Sequence, residues 1–248
     1  MNSLYRLQSD LAALQMKWAL VKLMYKYSPN QPRTPAGCHE GGRWCRPGAQ
    51  ATANGSGLRS VIQDANAQSK DKTLGMSFSD RDKARRAFVL QDGGGDFYVA
   101  PNPSANPDAP WYADPSKSTV GIYNDGIIYA ANKEGVDPDL IRSIMYVETT
   151  QGYYLGLGTI MDKVGLSKTI LPMNIYASLW SALGSRNELN DPLYNIIAGA
   201  KILKGIQANL AEPDIVTVAT LYNALAATKV SDYGARVAAV YKDKPWLH

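Results

Sequence analysis

From residue 118 to the end, this chain carries helical patterning almost without a break, and the stretch just before it holds five prolines, Pro101, Pro103, Pro107, Pro110 and Pro115. Proline fixes its own backbone and biases the residue before it away from helix, so residues 101–116 read as a boundary and the remainder as a helical domain. Within that domain, Ile127, Ile128 and Ala131 recur at helical spacing over Ile122 to Asn132. Gly135 is placed to end this helix, and Asp137 and Pro138 supply an N-cap and a first-turn proline for the next.

The helix that follows carries an anomaly. Glu148 lies seven, four and three residues after Ile141, Ile144 and Met145, which puts its carboxyl group on the apolar stripe. It also sits at the helix's C-terminal end, where the macrodipole disfavours negative charge by about 0.3–1 kcal/mol. Burial and the dipole both favour a protonated carboxyl group, the state a general acid needs. A glutamate that turns out to solvent, or that pairs with Arg142, fits the same position.

The first half of the chain is organised differently. Leu4, Leu7, Leu11, Leu14, Trp18, Val21 and Tyr25 alternate by three and four, which predicts an amphipathic helix over residues 3–26. Its seam suits self-association or docking onto a larger assembly, and equally packing on the protein's own body. Leu20, Leu23 and Met24 widen the stripe, so a membrane-surface helix is a third reading. Residues 28–57 read as an extended Pro/Gly-rich arm, and 58–117 as a small mixed segment and linker. In the latter we expect a helix from Leu58 to about Lys72, a short one from Arg81 to Phe88, and a hairpin joining Val89-Leu90-Gln91 to Phe97-Tyr98-Val99. The glycine run at 93–95 lacks the Lys-Ser/Thr ending of a phosphate loop and is flanked by Asp92 and Asp96.

The net charge of +4 arises in the first half, where residues 1–117 hold 15 basic and 10 acidic side chains against 11 and 12 in the rest. Without a dense basic run this predicts no specific nucleic-acid recognition. Cys38 and Cys45, beside His39, fall one ligand short of a zinc site and read as free or bridged thiols. No metal, cofactor, nucleotide loop or serine triad is expected, and neither a secretory signal nor a membrane span is visible.

Four blocks in residues 120–245 together resemble the lysozyme-like soluble lytic transglycosylases related to goose lysozyme. The first is Gly135-Val-Asp-Pro-Asp-Leu-Ile-Arg-Ser-Ile-Met-Tyr-Val-Glu148-Thr149, with threonine where the family has serine. The second, Leu171-Pro172-Met173-Asn174-Ile175, stands for the family's Gly-Leu-Met-Gln-Ile and departs from it most. The third is Asp191-Pro-Leu-Tyr-Asn195-Ile196-Ile-Ala-Gly199-Ala-Lys-Ile-Leu203, in which Gly199 is expected to allow close packing behind the active-site helix. The fourth, Ala219-Thr-Leu-Tyr222-Asn223, resembles an Ala-Tyr-Asn motif whose tyrosine contacts the catalytic carboxylate, and Tyr233, Val237 and Tyr241 follow as in the family's last helix.

The resemblance implies a mainly α, lysozyme-like catalytic domain over 118–248 that cleaves the β-1,4 bond between N-acetylmuramic acid and N-acetylglucosamine in peptidoglycan. It implies Glu148 as the catalytic acid/base, with Thr149, Met173, Asn174, Tyr222 and Asn223 binding substrate; Tyr153 and Tyr154 join Tyr222 as cleft candidates because an amphipathic ring can stack on a pyranose. Asp162, Glu188 and Asp191 are the candidates for a second, water-activating carboxylate, and each also reads as a loop or cap residue. Fifteen tyrosines against three phenylalanines suit a sugar cleft, although Tyr123, Tyr129, Tyr194 and Tyr241, with Trp180 and Trp246, read as structural.

Delivery to the wall without an export signal points to a phage virion component, or to a secreted antibacterial effector. The segment Ser28-Pro-Asn-Gln-Pro-Arg-Thr-Pro-Ala-Gly37 with Gly41-Gly-Arg-Trp44 is similar to short segments of phage-derived and other bacterial proteins. The rival class is a non-catalytic structural or glycan-binding protein that retains a lysozyme-like body.

Overall fold

The structure, a computed structural model, describes residues 67–109, 113–150 and 169–247. The chain divides into two compact units, Met1–Thr52 and Ala53–His248, and the described residues all belong to the second. The expected heptad helix at 3–26, the arm at 28–57, Cys38 and Cys45, Asp162, and the pair Tyr153 and Tyr154 lie outside the described residues.

The described unit is mainly helical. From Phe78 onward its α-helices are α1 (Phe78–Leu90), α2 (Asn124–Glu134), α3 (Pro138–Thr150), α4 (Arg186–Leu189), α5 (Pro192–Ala208), α6 (Ile215–Asn223) and α7 (Asp232–Asp243). Between α3 and α4, the two-residue strands β1 (Thr169–Ile170) and β2 (Ile175–Tyr176) pair antiparallel, with Thr169 opposite Tyr176 and Ile170 opposite Ile175. Among the described residues, no helix is long and apolar enough to cross a membrane.

Helix α3 is the centre of the fold. Leu140, Ile141, Ile144, Met145 and Val147 are each 0% exposed, and Ser143, Thr149 and Thr150 are buried among them. A helix covered on nearly every side needs no polar face, and its hydroxyls are satisfied internally: Ser143, Thr149 and Thr150 donate to the carbonyls of Asp139, Met145 and Tyr146. The start of the helix matches its sequence signal, because the Asp137 side chain accepts from the Asp139 N–H at 2.9 Å. Gly135 closes α2 in the left-handed conformation (φ 73°), which lacks a steric penalty only for glycine.

Helix α7 lies antiparallel along α3, as its side-chain bonds require. At its end, the Tyr241 hydroxyl donates to Asp137 (2.5 Å) and Lys244 donates to Asp139 (2.6 Å), both at the start of α3. At its start, Tyr233 meets Glu148 near the end of α3. The Asp137 carboxylate beside Tyr241 is the leading reason the phenol's pKa is pushed up to about 12.

The proline-rich stretch before residue 118 does not separate the mixed segment from the helical domain. Helix α1 packs on α5 at Gly205, where an added Cβ would come within 2.2 Å of the Val89 carbonyl oxygen. Arg85, with 0% exposure, runs from α1 into the turn after α6 and donates to the carbonyls of Leu225 (2.7 Å) and Ala227 (2.8 Å). It also forms a buried ion pair with Asp71 at 2.6 Å. A guanidinium that satisfies several backbone acceptors at once ties the two segments into one body. The hairpin expected over residues 89–99 is absent: Val89 and Leu90 continue α1, and Gln91 caps it. Buried Val89 packs toward α5 with helical geometry, and this tertiary contact outweighs its β-branched preference for strand.

Candidate active site

Glu148 is 7% exposed, so neither the solvent-facing reading nor the Arg142 pairing holds. Arg142 instead donates to Asp139 (2.6 Å) and Asn124 (2.9 Å). Both carboxyl oxygens of Glu148 are engaged. Oε1 accepts from the Tyr233 hydroxyl at 2.5 Å, and Oε2 accepts from Asn174 Nδ2 at 2.7 Å. Burial disfavours the charge while the two donors stabilise it, so the site holds the carboxyl group between opposing influences rather than under burial alone.

Asn174 reaches Glu148 because its backbone adopts a left-handed conformation (φ 55°) that asparagine tolerates better than most residues. The strip that carries it is clamped by Asn195, which is fully buried in α5. Its Oδ1 accepts from the Met173 N–H at 2.8 Å, and its Nδ2 donates to the carbonyls of Ile170 and Leu189, each at 3.1 Å. From the other side, the Tyr222 hydroxyl donates to the Met173 carbonyl at 2.8 Å. Both backbone polar groups of Met173 are therefore held by side chains from two different helices.

These contacts reassign several expected roles. Met173 is 0% exposed, and its side chain fills the space left by Gly199, whose added Cβ would lie 2.8 Å from Met173 Cγ. It is a core residue beneath the site and has no surface to offer a substrate. Gly199 thus makes room for the strip at 171–175 instead of backing α3 directly. Thr149 is 1% exposed with its hydroxyl bonded to the Met145 carbonyl, so it too faces the core. The carboxylate contact expected of Tyr222 is made by Tyr233, while Tyr222 holds the strip. Glu188 and Asp191 serve as cap residues: Glu188 completes a capping box with Ser185, and Asp191 caps α5 by accepting from the Tyr194 N–H.

A cavity of about 270 Å³ opens beside Glu148. Asn174, Tyr222 and Asn223, all expected at the site, line it together with Tyr176 and Trp180. Asp82 and Arg86 of α1 complete one wall. Nothing in the sequence marked these last two, since an Asp-Arg pair four residues apart reads as an ordinary solvent-facing ion pair. Trp180, read as structural, is 8% exposed yet lines the cavity, and it does so from a turn and not from a helix.

The tyrosines stay protonated around the carboxyl group. Burial, followed by the nearby Glu148 charge, pushes both Tyr222 and Tyr233 well above the ordinary phenol range. Each is consequently a fixed donor at neutral pH, with its acceptor already in place. The arrangement provides one buried carboxyl group, two aligned donors and an adjoining cavity with polar and aromatic walls, which is a geometry suited to proton transfer to a ligand held there.

No protein-family model, curated protein or solved structure matches the chain.

Proposed function

We propose that the chain is a peptidoglycan-cleaving lytic transglycosylase with Glu148 as its acid/base. The observation that carries this reading is a buried glutamate, bonded to Tyr233 and Asn174, at the edge of a cavity that admits a ligand. The four sequence blocks that resemble the transglycosylases converge there: Glu148 from the first, Asn174 from the second, Asn195 clamping the strip from the third, and Tyr222 and Asn223 from the fourth.

In this mechanism protonated Glu148 gives its proton to the glycosidic oxygen as the bond to the muramic anomeric carbon breaks. The substrate's own N-acetyl oxygen attacks that carbon. The Glu148 carboxylate then takes the proton from the muramic C6 hydroxyl, whose oxygen displaces the acetamido oxygen and closes a 1,6-anhydro ring, and Glu148 returns to its starting state. Tyr233 and Asn174 orient the carboxyl group and stabilise the charge it acquires between the two steps. Delivery to the cell wall as a virion component, through assembly by residues 3–26, belongs to the same proposal.

A second reading, a non-catalytic glycan-binding protein, draws on the same two donors, because a buried carboxylate with both oxygens satisfied is also a stable structural element. Mass spectrometry of soluble fragments released from purified peptidoglycan by wild type and Glu148→Gln decides between them. Anhydro-muropeptides from wild type alone are expected. Hydrated reducing ends would make the protein a hydrolase, and glycan binding without fragments would favour the non-catalytic reading.

A further inference from the structure

Resting on the peptidoglycan reading, we propose that Arg86, oriented by Asp82 and Trp180, is a specificity-determining residue that receives a carboxylate carried by the muramic acid substituent. Arg86 projects from α1, a segment outside the four blocks, into the cavity that holds Glu148. Its side chain is only 13% exposed. Its guanidinium lies over the Trp180 ring, with the central carbon 4.7 Å from the ring centroid, and this cation–π contact restrains the group. Nη2 is engaged by Asp82 Oδ2, four residues earlier on the same helix.

A guanidinium has five N–H donors, and among the described residues Arg86 donates to Asp82 alone. The result is a cation fixed in orientation, largely withdrawn from water, and left with donors for a further acceptor. Planar, forked geometry of this kind matches a carboxylate in particular. Trp180 is covered by Arg86 on that face, so the pair reads charge there instead of stacking on a sugar ring. Asp82 competes for the same cation, and it therefore holds Arg86 in place while moderating its affinity.

A glycan of N-acetylmuramic acid offers carboxylates from two sources, the lactyl group of strands stripped of peptide and the stem peptide of intact strands. A chitin oligosaccharide offers neither. The test is calorimetric binding to full-length Glu148→Gln, which lacks the acid. Three ligands are compared: a peptide-free N-acetylglucosaminyl-muramic acid oligomer, the same oligomer bearing stem peptides, and a chitin oligomer of equal length.

One or both carboxylate-bearing ligands are expected to bind about tenfold to hundredfold more tightly than the chitin oligomer, as a charge-assisted hydrogen bond in a partly desolvated site would give. Which of the two shows the preference identifies the source of the carboxylate. Adding Arg86→Met should abolish the preference, and it should do so by weakening the carboxylate-bearing ligands rather than by tightening the chitin oligomer. Adding Asp82→Asn should strengthen it, because the amide oxygen still accepts from Arg86 but the competing charge is gone. That gain guards against misfolding, since a damaged protein does not bind more tightly. A preference that is absent, or that survives Arg86→Met, overturns the proposal with the glycan reading intact. Failure of all three ligands to bind overturns both.

Discussion

Replacing Asn195 with alanine tests whether the site depends on a clamp some distance from Glu148. The side chain is 0% exposed and makes three hydrogen bonds: one from the Met173 N–H at 2.8 Å, and one each to the carbonyls of Ile170 and Leu189 at 3.1 Å. The truncation leaves a buried N–H without an acceptor, which costs about 1–3 kcal/mol, and two carbonyls each lose a donor worth roughly 0.5–1 kcal/mol. The total is about 2–5 kcal/mol, and for a unit of this size that corresponds to roughly 4–20 °C in Tm. Thermal and urea unfolding followed by circular dichroism measure the loss. Native-state hydrogen exchange then localises it, because the Met173 amide should lose its protection before the core of α3 does. On the proposed function, peptidoglycan cleavage should also fall at temperatures where the variant remains folded, since Asn174 follows Met173 directly and its bond to Glu148 depends on the strip's position. A loss below about 1 kcal/mol, or an unchanged Met173 amide, would refute the idea that Asn195 holds the strip.

Three further perturbations probe separate parts of the molecule. Tyr233→Phe removes the donor to Glu148 Oε1 and should lower peptidoglycan cleavage about tenfold to a hundredfold with the helical spectrum intact, whereas unchanged turnover would show that the bond is not used. Gly199→Ala forces a Cβ to within 2.8 Å of Met173 Cγ, so a cost of about 1–3 kcal/mol in urea unfolding is expected, and a neutral result would mean that Met173 repacks freely. Asp71→Asn leaves Arg85 buried without its counter-charge and should cost about 3–5 kcal/mol at neutral pH. Burial pushes the Asp71 carboxyl up, but hydrogen bonds from Thr73 and Tyr98 and the Arg85 charge outweigh it and hold the pKa below the ordinary value. A depressed carboxyl group contributes stability above the unfolded-state pKa and loses it as pH falls through the folded-state value. The gap between wild type and Asp71→Asn should therefore narrow below about pH 4, and a constant gap from pH 7 to 2 would contradict the assignment.

Much of the helical unit can be read locally. The end of α2 at Gly135 and the start of α3 at Asp137-Pro138 follow from capping chemistry, which depends on a few consecutive residues and little else. The anomaly of Glu148 is likewise legible, because helical periodicity alone places its carboxyl group on an apolar face. Periodicity does not reveal which groups answer that carboxyl group. Asn174 and Tyr233 lie 26 and 85 residues further along the chain, and their approach is set by the strip at 171–175 and by the antiparallel docking of α7. Sequence motifs likewise drew Met173 and Thr149 into the expected binding surface, whereas packing turns both inward.

Residue patterning alone determined that the described part of the chain from 118 onward would be mainly helical, where α2 and α3 would meet, and that one glutamate would be out of place among aliphatic neighbours. These are short-range consequences of backbone stereochemistry and side-chain period. Only the tertiary structure decided that α1 belongs to the same body, that Tyr233 rather than Tyr222 meets the carboxyl group, and that Asp82, Arg86 and Trp180 share its cavity. Those outcomes rest on contacts between distant segments, where a buried guanidinium, an asparagine clamp and glycines at close approach must all be satisfied together. No local rule encodes such a requirement, because each partner acquires its role only when the others are already in place.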